Sequence, residues 1–309
     1  TGNDICGNCS AEYGGGVSAY GYSPNGSIDH NRIWFNQSYD EGGGIMIAGS
    51  LPGNPAALSQ GSGPVSIHEN VIQSNLANDD GGGLRFLMAG NFPMDVYNNT
   101  IVNNASTHEG GGVGINDAPN VRFYNNTVMK NVTTATALTS DGLPAPAGLS
   151  TSQNSVPLQN SLPGGSPMFS NPLLFNNIFW DNRAGSRGST GVLGIGAAGD
   201  ATPINHWDLG VADGTGSLAP TNSVIQQNAG VHPYTTSPTN SAADPQVIAP
   251  YDTQVAFNGW RTNPNFLGAF LISLNLPPEL LGNYHISDTS PAGPAVNLGA
   301  SSQSGVNAP

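Results

Sequence analysis

Positive charge is scarce in this chain. Its 309 residues hold seven Lys plus Arg against twenty Asp plus Glu, a formal net charge of -13 and a pI near 4.4. Nucleic-acid binding needs a cationic footprint, so that class is excluded. Anionic membrane surfaces are poor partners for the same reason, and a polyanionic glycan would need a bridging cation. No apolar run is long enough to span a bilayer, so direct membrane insertion is not expected. There is no initiator Met and no signal peptide; the first residues already belong to a repeat, and the expectation is a mature or excised piece. Only 9% of residues are charged, so solubility rests on Asn, Ser, Thr and Gly. That composition suits regular β-structure in a secreted protein better than disorder.

Cysteine is equally sparse. Cys6 and Cys9 form one C-x-x-C. A zinc site normally requires a second Cys or His pair, and none is in register. A redox dithiol belongs at a helix start in a βαβ setting, which is missing too. A local disulfide or a pair of packed thiols is the expectation. No 3.6-residue apolar stripe is long enough for a substantial helix.

What is present is a repeat. Asn, an aliphatic residue two places on, a second Asn five places on and three glycines six places later recur at Asn3 (NDICGNCSAEYGGG), Asn31 (NRIWFNQSYDEGGG), Asn70 (NVIQSNLANDDGGG) and Asn99 (NTIVNNASTHEGGG). Asn126 (NTVMKN) and Asn177 (NIFWDN) keep the Asn pair without the triplet, and Ser223–Asn228 is a degraded copy. Successive first positions lie 28, 39, 29, 27, 51 and 46 residues apart. A constant frame with variable spacing means one structural turn per repeat, with insertions confined to one or two loops.

Apolar residues alternate on both sides of the frame: Ile45 and Ile47, Leu84 and Phe86, Val113 and Ile115 after the glycines, and Val65 and Ile67, Met94 and Val96, Val121 and Phe123 before the first Asn. One aliphatic sits between the two Asn. These are short strands with one buried face. Three such strands per repeat predict an all-β fold, a parallel β-helix of three-strand coils stacked about 4.8 Å apart. Two asparagine ladders follow: Asn31, Asn70, Asn99, Asn126 and Asn177, led by Asn3, and Asn36, Asn75, Asn104, Asn131 and Asn182, led by Asn8 and closed by Asn228. Asn tolerates the left-handed corner backbone, and its amide can bond the amides above and below. The chain reads as a single domain over 1–309: regular coils over about 1–230, a loop insertion at about 138–172, and irregular coils with a C-terminal cap over about 230–309.

With these motifs the sequence resembles the right-handed parallel β-helix repeat proteins of the bacterial surface and secretome. The Gly triplet followed by Ile or Val is similar to the GGA-I repeats of polymorphic outer-membrane proteins and autotransporter passengers. Asn36, reached through Phe35, comes nearest their F-x-x-N motif. "NYHISDTSPAGPAVNLG", Asn283 to Gly299, resembles an ending common on such domains, and "ADPQV" at Ala243 resembles the turn that often precedes it. The resemblance implies right-handed coiling and an extracellular or bacterial cell-surface location.

The residues before the glycines are the candidate site. Asp40-Glu41, Asp79-Asp80 and His108-Glu109 become two columns in a stack, with Glu41, Asp80 and Glu109 in successive coils. Like charges at about 5 Å repel by roughly 1–3 kcal/mol, and Ca²⁺ relieves such repulsion through carboxylate oxygens. A solvated corner with splayed carboxylates is the alternative; no cofactor is certain. Arg85 and Arg122 follow core positions and are expected to face solvent. Trp34 and Trp180 share an outward column and can stack on sugar rings or lie beneath a loop. His30 and His68 both precede a first-ladder Asn and are expected near one corner. Functionally the chain reads as a non-catalytic structural, adhesive or assembly module, joined through open coil ends to other copies or to other surface proteins. The alternative is a polysaccharide lyase or glycoside hydrolase working in a groove.

Overall fold

The computed structural model describes residues 1–189, 191–251, 260–262, 270–272, 280–287, 302–303 and 306–307. Four strands, not three, make one turn of the chain. Sheet I stacks Asp4–Cys6, Arg32–Trp34, Val71–Gln73, Thr100–Val102, Thr127–Met129, Ile178–Trp180 and Val224–Ile225. Sheet II stacks the two-residue strands Cys9–Ser10, Gln37–Ser38, Leu76–Ala77, Ala105–Ser106, Val132–Thr133 and Arg183–Ala184. Sheet III, after the glycines, holds Val17–Tyr20, Ile45–Ala48, Leu84–Leu87, Val113–Asn116, Leu149–Thr151 and Leu209–Val211. Sheet IV holds Gly26–Asp29, Val65–His68, Met94–Tyr97, Val121–Tyr124 and Leu173–Phe175.

Every pairing in these four sheets is parallel and in repeat register, for example Ile33 with Ile72 and Leu84 with Val113. The architecture is compatible with a β-helix. The sequence pattern hides sheet II because two residues are too few to show alternation.

The core is the shared interior of the stack. Ile33, Ile47, Ile67, Ile72, Phe86, Val96, Ile101, Phe123 and Phe179 are fully or almost fully buried there, as alternation along sheets I, III and IV requires. Insertions enter at two corners. Gly49–Pro64 joins sheets III and IV in the second coil and accounts for its long spacing. The stretch 138–172 is not one loop. Leu149–Thr151 within it is a sheet III strand paired with Val113–Ile115, and loops flank it on both sides. One of those loops carries a six-residue helix, Val156–Ser161.

Both ladders form. Asn31 donates from its backbone N and Nδ2 to Asn70 Oδ1, both at 3.0 Å, and the same pair of bonds runs from Asn70 to Asn99 and from Asn99 to Asn126. The second file repeats this from Asn36 through Asn75 and Asn104 to Asn131 and Asn182. Asn228 does not close it. Asn228 is exposed, and its Oδ1 accepts from Gly230 N; Asn182 donates instead to Asp208 Oδ1, with Nδ2 at 2.8 Å. The first file ends through Ser223 Oγ, and Ser223 N donates to Asn240 Oδ1.

The left-handed residue at each corner is the one before the ladder Asn, not the Asn itself. Positive φ occurs at His30 (56°), Glu69 (57°), Asn98 (53°), Asn125 (55°) and Asn176 (55°) before the first ladder, and at Phe35 (54°), Ser74 (56°), Asn103 (57°) and Lys130 (54°) before the second. The ladder Asn needs its own N–H aimed along the stack, which the preceding left-handed residue arranges. Phe35 is 42% exposed, so its side chain contributes little in return for a backbone that disfavours it. Phe35→Asn is expected to stabilise the protein by about 1 kcal/mol, a rise of roughly 2 °C in Tm by thermal melting.

The glycines serve two purposes. Gly42 and Gly81 have φ of 71° and 69°. A Cβ on Gly44 would lie 2.5 Å from Gly83 O and 3.0 Å from Asn75 Nδ2, so the third glycine leaves the space that the second ladder occupies. In the fifth coil Gly148 holds that slot against Asn182, although no triplet marks it.

Cys6 and Cys9 are free thiols. The disulfide expectation is corrected: Cys6 lies in sheet I opposite Trp34 and Cys9 in sheet II opposite Gln37, with the Gly7 corner turning the chain between them. Val247–Ala249 pairs antiparallel with Asn283–Ile286, and both pack on the outer face of sheet I over Val102, Met129, Ile178 and Val224. Gln73 exchanges two hydrogen bonds with Leu281, and the Tyr284 hydroxyl bonds Asn103 Oδ1. Most of the apolar stretch 267–281 and all of 288–299 lie outside the described residues.

Candidate functional site

The corner between sheets II and III gathers the acidic residues of three coils. Asp40 and Glu41 come from the second coil, Asp79 and Asp80 from the third, and His108 and Glu109 from the fourth. Parallel stacking holds them one rung apart because the Gly triplets that follow are themselves in register: Gly42 N donates to Asp80 O, and Gly81 N to Glu109 O.

A guanidinium sits among these carboxylates. Arg85 occupies the outward slot of sheet III, between Met46 and Gly114. It is 3% exposed, which corrects the expectation that it faces solvent. Its Nε donates to Glu41 Oε2 at 2.5 Å, and its Nη2 lies 3.0 Å from Asp80 Oδ2. A Cβ at Gly114 stands 3.1 Å from Arg85 Nη1, so the side chain lies over the space that glycine leaves. His108 Nδ1 lies 2.9 Å from Asp80 Oδ1 and 3.3 Å from Asp79 Oδ1. Glu109 N donates to Asp80 Oδ1, Ser150 Oγ to Glu109 Oε2 at 3.0 Å, and Thr139 Oγ1 to Asp79 Oδ1 at 2.7 Å.

Burial and these neighbours split the acids. Burial pushes the Glu41 carboxyl up to about 7, against the pull of Arg85. Burial, then the adjacent Asp80 charge, pushes Glu109 up to about 8. Asp40 is raised to about 6 by burial and by Asp79. Burial would raise Asp80 too, but Arg85 and the His108 hydrogen bond outweigh it and hold this carboxyl below its usual range. Burial opposes the charge on His108, yet its bonds to Asp79 and Asp80 push it up to about 11. The cluster therefore holds an ionised Asp80 between two cations, with Glu41 and Glu109 retaining protons into the neutral range. Such divergence between neighbouring carboxyls is what acid–base chemistry requires. It is also what a buried structural network produces.

The expected carboxylate column is thus present, but Arg85 and His108 already supply its positive charge. Asp40, Glu41 and Asp79 can each bring one oxygen within 4.8 Å of the others, as can Asp79, Asp80 and His108 as a mixed set. A cation at either place would share its ligands with Arg85 or His108. The sequence did carry a faint signal for Arg85: in the slot after the first apolar residue of sheet III it meets Gly114 one repeat on.

The tryptophans lie apart from this corner. Trp34 is half-buried in sheet I between Cys6 and Gln73. Trp180 belongs to the cluster that the tail residues Val247, Tyr284 and Ile286 cover. A separate apolar cleft of about 320 Å³ opens between the Gly49–Pro64 loop and the Val156–Ser161 helix. Asp117 is the one carboxylate among its lining residues, and Ser155 N already donates to it at 2.6 Å. No helix among the described residues is long and apolar enough to cross a membrane. No protein-family model, no curated protein and no solved structure matches this chain.

Proposed function

We propose that this chain is a right-handed parallel β-helix module of an extracellular or bacterial cell-surface protein, with a structural, adhesive or assembly role rather than a catalytic one. The observation that carries this reading is how the acidic corner spends its polar groups. Glu41, Asp80, Arg85, His108, Glu109 and Ser150 bond one another across four successive coils and are mostly buried. They act as rivets between rungs; of the Arg85 guanidinium, Nη1 has no hydrogen-bond partner among the described residues.

The outermost coil supports the assembly part. Asn3 and Asn8 donate into the stack, and among the described residues no donor reaches the Oδ1 of either. Both acceptors face the free edge, together with the edge strands of sheets I, II and III. Another coil, from whichever polypeptide supplies it, would complete both files by edge pairing. Light scattering over a concentration series is expected to show a rising mass, reversed by Ile5→Lys; a mass fixed at one chain at every concentration removes self-assembly from the proposal.

A second reading, glycan hydrolysis or lyase chemistry, draws on Glu41 and Glu109, whose raised carboxyls flank an ionised Asp80. A polysaccharide panel, assayed for reducing ends and unsaturated products with and without EDTA, separates the two. No product is expected. A product that Glu109→Gln abolishes would establish the enzymatic reading instead.

A further inference from the structure

We propose that His30, His68 and Glu69 form a surface site for one divalent transition-metal ion of the zinc type. The three residues meet at the corner between sheets IV and I. His30 Nε2 lies 3.1 Å from Glu69 Oε2, and His68 Nδ1 lies 2.9 Å from the same oxygen. All three ligand atoms fall within 4.8 Å of one another. Zinc bonds of about 2.0–2.1 Å in a tetrahedron place ligand atoms roughly 3.3 Å apart, so the two His–Glu69 separations need only open slightly. Two imidazoles with one carboxylate suit Zn²⁺ and its neighbours in the series far better than Ca²⁺ or Mg²⁺.

The outer partners are already in place. His30 Nδ1 is 3.0 Å from Asp29 Oδ2, and Asp29 Oδ1 accepts from Ser27 Oγ at 2.8 Å. A carboxylate on Nδ1 selects the tautomer whose Nε2 carries a lone pair. That lone pair then faces a Glu69 oxygen, and a cation between them, a proton or a metal ion, satisfies both. The His68 ring is held by stacking on Tyr97, with centroids 4.7 Å apart and planes within 5°. Tyr97 stacks in turn on Tyr124 at 5.1 Å.

The backbone points the same way. His30 and Glu69 occupy the left-handed slot before the first ladder Asn, which the next three coils fill with Asn98, Asn125 and Asn176. Asn is the residue this conformation tolerates best after glycine. The chain departs from it in the two adjacent coils where the cluster lies, so the less favourable backbone coincides with potential ligands. The Asn31-to-Asn70 bonds fix the separation of these coils. The side chains of His30 and Glu69 are 57% and 42% exposed, which leaves at least one coordination position open to water.

The test is Zn²⁺ titration of the chelator-stripped full chain by calorimetry, with Co²⁺ absorption as the spectroscopic readout. One equivalent is expected, with a tetrahedral Co²⁺ spectrum. Both vanish in His30→Ala/His68→Ala; His30 is exposed and His68 half-buried, and circular dichroism checks that the fold is retained. Asp29→Asn weakens binding by about 10–100-fold through the outer partner. Cys6→Ser/Cys9→Ser and His108→Gln retain the equivalent, which separates this site from the thiols and from the acidic corner. Absence of binding to the wild-type chain, or an unchanged stoichiometry in the double histidine variant, overturns the proposal.

Discussion

Asn104→Ala is expected to cost this protein about 3–6 kcal/mol and to leave most of the chain insoluble or melted at moderate temperature. Asn104 is fully buried in the middle of the second ladder. Its Oδ1 accepts from Asn75 N at 3.0 Å and Asn75 Nδ2 at 2.9 Å, and its Nδ2 donates to Ile72 O and Asn131 Oδ1. Truncation strands the Asn75 N–H and removes one partner each from the Ile72 carbonyl, Asn75 Nδ2 and Asn131 Oδ1. Each buried orphan costs about 1–3 kcal/mol.

Asn104→Asp fares little better. It keeps the acceptor for Asn75 but turns a carboxylate oxygen against Ile72 O and Asn131 Oδ1. Only the terminal slot accepts an acid. Asp208 accepts four N–H groups, from Asn182 (two), Gln226 and Gln227. Asn8→Ala, on the exposed outer coil, removes only one side-chain donor bond and should cost about 1 kcal/mol. Urea midpoints of the two alanine variants check the contrast. Equal shifts would mean the ladder contributes nothing beyond ordinary hydrogen bonds.

The second large effect is electrostatic. Arg85→Met is expected to destabilise by about 3–5 kcal/mol near pH 8, because it leaves Glu41, Asp80 and Glu109 buried with one cation fewer. The loss should shrink near pH 5. Glu41 and Glu109 have folded values raised to about 7 and about 8, so their protonated forms suit the folded state. The stability they contribute is fully present below the ordinary carboxyl range and is lost as pH rises through 7 to 8. Asp208, which burial pushes up to about 7, adds to the same decline. Asp80 runs the other way: its lowered value contributes stability above the ordinary range that is lost in acid. His108, raised to about 11, stays charged throughout this window.

The wild-type chain should therefore melt highest in mild acid and lower at pH 9, with Arg85→Met steepening that decline and Glu109→Gln flattening it. Thermal melts at pH 5, 7 and 9 measure all three. An Arg85→Met penalty of the same size at every pH would show that the guanidinium acts by packing alone.

By itself the sequence determined the stack. The spacing Asn–Asn–Gly placed residues 27 to 51 positions apart in one file, because in a parallel in-register fold the same slot in successive repeats is also the nearest neighbour in space. It likewise brought Glu41, Asp80 and Glu109 to one corner and put His30 near His68. Tertiary structure alone decided the rest. Arg85 swings into the acidic column over the space Gly114 leaves, Asp208 closes the second ladder from just before the sheet III strand Leu209–Val211, and Leu281 reaches Gln73 across 208 residues. These contacts join unlike slots, or segments outside the repeat, so no periodicity announces them. Their partners are chosen by which buried polar group is left unpaired once the coils have stacked, a condition that exists only in three dimensions.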